Sequence, residues 1–217
     1  MLDDNRNEKE AEKLDDIKEN DVNAAADEEE TAEEKSIAME LYDWIQCFIA
    51  PLVVGILIFL FVFRVITVVG SSMNPTLLNG DKVIVSDLFF TPKYSDIVVC
   101  KAENFGDEYL IKRVIATEGQ TVDIDFEEGV VYVDGKPLDE PYTAAKTHDR
   151  EDFRGEVTVP EGCVFVMGDN RNASTDSRTT EIGMIDKRAI LGKVYIIFFP
   201  GRDYNNNRDF KRIGSVY

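Results

Sequence analysis

Histidine is almost missing from this chain. One residue in 217, His148, sits in the charged run Lys146-Thr147-His148-Asp149-Arg150-Glu151-Asp152. No Ser-His-Asp triad is therefore expected, and a zinc hydrolase, which needs several His or Cys ligands, is disfavoured. Cysteine is also scarce: Cys47, Cys100 and Cys163, with no C-x-x-C pair. A metal site is improbable on that spacing, and no metal or other cofactor is expected. Cys100 and Cys163 fall in predicted strands; a bond between them is one reading, and two buried free thiols are the preferred one. Positive charge is short as well. Lys and Arg number 24 against 42 Asp and Glu, a net charge of -18. Nucleic acid is not an expected partner, because phosphate binding needs clustered Lys and Arg.

The charge is uneven. Residues 1–35 hold 15 acidic and 5 basic residues. Aromatics are absent there, and acidic blocks such as Asp27-Glu28-Glu29-Glu30 recur. Such a stretch cannot bury enough apolar surface to offset chain entropy, so residues 1–37 are expected to be a disordered acidic tail.

One apolar run is long enough for a membrane. Trp44 to Phe63 contains no charged residue over 20 positions. As a helix it spans ~30 Å, the thickness of a hydrocarbon core. Tyr42 and Trp44 suit one interface, and Arg64 can snorkel at the other. A cleaved leader is disfavoured by the acidic segment before the run and by the lack of a small-x-small site after it. Residues 38–66 are read as a transmembrane anchor helix, with membrane lipid as its partner. Orientation is not settled by charge, since Lys35 precedes the run while Arg64 and Lys82 follow it.

Beyond Val65 the texture changes to β. Val83-Ile84-Val85, Ile97-Val98-Val99, Val130–Val133, Val164–Met167 and Ala189–Phe199 are apolar or β-branched runs. Asn79-Gly80, Glu128-Gly129, Asp134-Gly135 and Glu161-Gly162 are turn signals. Val122–Phe126 and Val130–Val133 read as a hairpin. No long helical period follows residue 64, and residues 139–157 look like a polar loop insertion. The expected architecture is mainly β, with coiled, mostly antiparallel sheets over residues 67–217, behind a single N-terminal helix.

Three stretches could carry chemistry. The first is Gly70-Ser71-Ser72-Met73-Asn74-Pro75-Thr76-Leu77, where small residues and a Pro hold two hydroxyls in a turn. The residues alone do not choose between Ser71 and Ser72. The second is Tyr109-Leu110-Ile111-Lys112-Arg113-Val114-Ile115-Ala116. Period 2 puts Leu110, Lys112 and Val114 on one face, so Lys112 lies between apolar neighbours. Desolvation disfavours the charged form of lysine. Lowering a lysine from ~10.4 to ~7–8, where it can act as a base, needs about 4 kcal/mol of differential interaction. A snorkelling lysine that keeps its charge in water is the alternative. The third is Gly168-Asp169-Asn170-Arg171-Asn172-Ala173-Ser174-Thr175-Asp176-Ser177-Arg178, a string of turn formers whose charges can pair internally.

In this order the three stretches resemble the serine, lysine and Gly-Asp-Asn-Arg boxes of type I signal peptidases, a family of membrane-bound serine endopeptidases. The resemblance covers about residues 45–200. It implies Ser72 as nucleophile and Lys112 as general base, with Arg113 beside it. It implies Ser174 orienting Lys112, Asp176 and Arg178 bracing the site, and the Ser72 backbone with the Gly70 region as the oxyanion site. Val68, Met73 and Ile111 are expected to form a shallow apolar pocket that accepts Ala, Gly or Ser one and three residues before the cut. The implied substrates are signal peptides of exported preproteins. The implied topology is tail in the cytoplasm and protease domain outside. Three departures from the family pattern are Ser95 and Gln120, where Gly and Asp are usual, and Gly70, where part of the family has a Ser whose hydroxyl serves the oxyanion. A Ser-Lys self-cleaving regulator and a non-catalytic pilus-assembly relative are the rival readings. The anchor and the absence of a DNA-binding module oppose the first, and the presence of both Ser72 and Lys112 opposes the second.

Overall fold

The structure is a computed structural model that describes residues 39–102, 105–106, 108–203 and 206–216. The acidic tail expected over residues 1–37 lies outside the described residues. Helix α1 runs Met39–Val62, long and apolar enough to cross a membrane. It continues unbroken through Pro51. The residues expected to close the anchor do not extend it, because strand β1 begins at Arg64.

Twelve strands follow: β1 Arg64–Thr67, β2 Lys82–Ser86, β3 Ile97–Lys101, β4 Tyr109–Thr117, β5 Thr121–Asp125, β6 Val130–Val133, β7 Lys136–Pro137, β8 Val157–Thr158, β9 Cys163–Met167, β10 Ile185–Asp186, β11 Ile190–Phe199 and β12 Gly214–Ser215. The larger sheet has the order β1-β2-β11-β3-β4-β9-β10, with β12 added to β11; the smaller is β7-β6-β5-β8. Every pairing is antiparallel. The β5–β6 hairpin has the register that its alternation requires, Val122 opposite Val133 and Ile124 opposite Val131.

Strand β3 is buried on both faces, which explains its unbroken apolar run. Ile97 and Val99 enter a core cluster with Val68, Met73 and Leu77. Val98 and Cys100 enter another with Val114 and Val166. A third cluster joins the sheets through Ile115, Val122, Val131, Phe153 and Phe165. Phe153 makes edge contacts with Phe126 and Phe165, which ties the polar 139–157 segment into this core. Strand β11 crosses both β2 and β3 with register shifts. Gly192 lies at one of them with φ 151°, and an added Cβ would sit 2.7 Å from the Ser86 carbonyl. Only glycine permits that approach.

All three cysteines are free: Cys100 is buried and Cys163 half-buried. Burial pushes the Cys100 thiol up to about 12, against the pull of nearby Lys112.

Candidate active site

Lys112 lies in the middle of β4, opposite Val98 of β3. It is 3 % exposed, so the strand does not let it snorkel to water. Burial is the main force on its ammonium and holds its pKa below the ordinary lysine range. Asp176 pulls the other way, as do Cys100 and Glu151 more weakly, while Arg178 adds to the lowering. The Lys112 Nζ donates to Ser174 Oγ at 3.0 Å. Ser174 in turn donates to Asp176 Oδ2 at 2.9 Å. That proton is committed, so a lone pair of Ser174 faces the amine and fixes its direction.

Asp176 is itself over-determined. Arg178 grips it through Nε at 2.8 Å and Nη2 at 2.9 Å, and the Gly168 N–H adds a bond at 3.0 Å. Arg178 also holds the Ser174 carbonyl at 3.0 Å. A carboxylate with this many donors is held stationary.

The serine turn is bound to the same segment. Asn170 donates its backbone N–H to the Ser72 carbonyl at 2.9 Å and its Nδ2 to the Ser71 carbonyl at 3.1 Å. The Asn74–Pro75 bond within this turn is cis. Thr76 donates to Asp169. Asp169 also accepts both forks of Arg113, each at 2.7 Å. Asp169 thus knots together the turn, the lysine strand and its own loop, with both members of the ion pair buried. Arg113 points to the opposite face from Lys112, reaching the Ser95 carbonyl at 2.8 Å and covering the Tyr142 ring at 4.0 Å.

Gly168 is where the Ser72 turn and Ser174 meet. A Cβ placed there would lie 2.5 Å from the Ser72 carbonyl and closer still to the Ser174 hydroxyl. Both groups therefore press on one point, which brings the Ser72 turn against the Ser174–Lys112 pair. Ser72 is half-buried, and the Ser174 that shares the Gly168 contact with its carbonyl accepts from the buried Lys112 amine, whose basicity burial weakens. A serine and a lysine of this kind support hydroxyl activation without histidine.

The family model for signal peptidases, peptidase S26, matches residues 41–199. The chain belongs to this family. It is a serine endopeptidase of the signal peptidase type. It is 36% identical to signal peptidase I of Bacillus licheniformis over 77% of this chain and 95% of that protein. It is likewise 36% identical to signal peptidase I S of Bacillus subtilis, over 78% of this chain and 95% of that protein. A crystal structure of a signal peptidase I from Enterococcus faecalis, 28% identical, covers 48% of this chain and 97% of its own, with a TM-score of 0.39.

In this signal peptidase the residues expected from sequence fall in distinct places. Ser72, Lys112, Ser174, Asp176 and Arg178 come together. Arg113 braces the site from the far face of β4. Val68 and Met73 are 3 % and 2 % exposed and form the core behind the turn, while Ile111 is half-buried at its edge. Gly70 has φ 92°, and its N–H is already bonded to Asn79 Oδ1 at 3.0 Å. The Ser72 N–H has no acceptor among the described residues. A cleft of about 440 Å³ opens beside the turn, lined by Gly70, Ser71, Asn74 and Arg202 among others. His148 is held elsewhere, its Nδ1 at 2.9 Å from the Phe126 carbonyl.

Sequence reading missed how the 139–157 segment grips the third box. Arg171 pairs with Glu140 and bonds Thr147, and Arg178 donates to the Asp149 carbonyl at 2.7 Å. Matched Arg and acidic residues were visible, but so many charges offered no unique pairing. Gly168 had a signal, a glycine before Asp169, whose reason needed the third dimension.

Proposed function

We propose that Ser72 is the nucleophile and Lys112 the general base of a signal-peptide cleavage reaction. Neutral Lys112 donates one N–H to Ser174 and accepts the Ser72 proton on its lone pair. Ser72 Oγ attacks the scissile carbonyl, and the Lys112 ammonium then passes the proton to the leaving amine. Water, deprotonated by Lys112, releases the acyl group. The Ser72 N–H is the available oxyanion donor, and the bonded Gly70 N–H is not. The observation that carries this reading is the buried Lys112 amine on Ser174, backed by the Ser174–Asp176–Arg178 chain.

The substrates are preprotein signal peptides that enter as an extended strand. Ile111 and the apolar core behind the turn form a stiff wall, so Ala, Gly and Ser are accepted one and three residues before the cut. Helix α1 anchors the protein in lipid, with the acidic tail in the cytoplasm and the protease domain outside. The test uses a fluorogenic signal-peptide substrate. Ser72→Ala is expected to lose all turnover and Ser71→Ala to keep most of it. The reverse pattern would show the wrong serine had been chosen.

A further inference from the structure

Glu151 belongs to none of the three boxes. It lies in the 139–157 segment with φ 51°, a left-handed conformation that costs a non-glycine residue energy. Its neighbours hold it there. Asp149 on one side receives Arg178 through its carbonyl and the Glu151 N–H through Oδ1 at 3.1 Å. Asp152 on the other side accepts the Thr180 N–H at 2.9 Å. The next residue, Phe153, is buried in the core.

The strain delivers a carboxyl to the Asp176 side of the site. Its Oε2 is buried and has no partner among the described residues. The charges that face it are Asp176 and Arg178 from the third box and Asp149 from its own segment. The charged or titratable groups facing Lys112 are Asp176, Cys100, Glu151 and Arg178. One guanidinium therefore serves two carboxylates. Asp176 takes both forks of Arg178, the Ser174 hydroxyl and the Gly168 N–H. Glu151 keeps only the electrostatic attraction of Arg178 and a hydrogen bond from the Asp176 backbone N–H, with its Oε2 unpartnered among the described residues. Burial, and then the Asp176 charge, push its carboxyl up to about 7.

We propose that Glu151 is a positioning residue for the dyad, whose charge sets how readily Lys112 takes a proton from Ser72. This rests on the reading of Lys112 as general base. With Glu151 neutral, Lys112 has one anion fewer to stabilise its ammonium and is a free base to lower pH. With Glu151 ionised, the ammonium is favoured. The two protons are lost as a coupled pair, so the acidic limb of activity spreads over more pH than one ionisation.

The test is the pH profile of kcat/KM for the full chain in detergent, with a signal-peptide substrate. Glu151→Gln is expected to move the pH of half-maximal activity down by roughly half a unit to one unit. Its limb should narrow to a single proton. Glu151→Asp should restore the broad limb. Loss of kcat at every pH with an unmoved limb would mean that Glu151 only shapes the loop, and would overturn the inference. A single-proton limb in the unaltered protein would overturn it without any variant. An unmoved limb in Glu151→Gln with Lys112→Met inactive refutes the Glu151 role alone. Turnover by Lys112→Met refutes the base on which it rests.

Discussion

With Lys112 as the proposed base, function and stability oppose each other at this residue. Burial favours the neutral amine in the folded protein, while the unfolded chain keeps an ordinary lysine. Between the lowered pKa and the ordinary value the unfolded state binds the extra proton, so stability rises with pH across that window. At neutral pH the buried lysine is therefore a cost. Lys112→Met is expected to raise Tm at pH 7, and to raise it less at pH 10. For a domain of this size each kcal/mol recovered shifts Tm by about 2–4 °C. Melts of both proteins at the two pH values check this, and a lower Tm for Lys112→Met at pH 7 would contradict it. The apolar neighbours of Lys112 were legible in the alternation of its strand. Its bond to Ser174, 62 positions on, was implied by resemblance and not by any local pattern.

At the scale of elements the site is a junction of three segments, each fastened by a different device. The serine turn hangs on Asn170. The lysine strand is tied through Arg113 to Asp169. The third box closes on itself through Arg178 and Asp176. Gly168 lets them meet, and its replacement leaves the strands intact. Gly168→Ala is expected to lower kcat by about 100-fold or more, because a displacement of ~1 Å at reacting groups costs that much. Far-UV circular dichroism should be unchanged. Near-full activity in Gly168→Ala would show that Ser72 and Ser174 do not depend on this close approach. The strands themselves were readable, since Val-rich runs and Asn-Gly or Asp-Gly turns have a local cause. The short strands β7, β8, β10 and β12 were not, because two residues carry no period. The 139–157 segment was legible only as polar. Its grip on Arg171 and Arg178 depends on tertiary pairing.

For the molecule as a whole, an apolar helix precedes a β domain whose proposed chemistry rests on one buried lysine. The helix was plain in the sequence, as an uncharged run of membrane length. The direction of crossing was not, because Lys35, Arg64 and Lys82 give a negligible bias that runs slightly against a cytoplasmic tail. With the tail in the cytoplasm, protease added to intact cells should degrade residues beyond 65 and spare an epitope at residue 10; the opposite pattern would remove the export role. The central claim is a serine peptidase that works without histidine. Its most direct measurement is steady-state cleavage of a signal-peptide substrate by Lys112→Met and His148→Ala, each shown by thermal melt to be folded. The account predicts no turnover from Lys112→Met and nearly unaltered turnover from His148→Ala. A folded His148→Ala that has lost activity, or a Lys112→Met that retains it, would contradict the account.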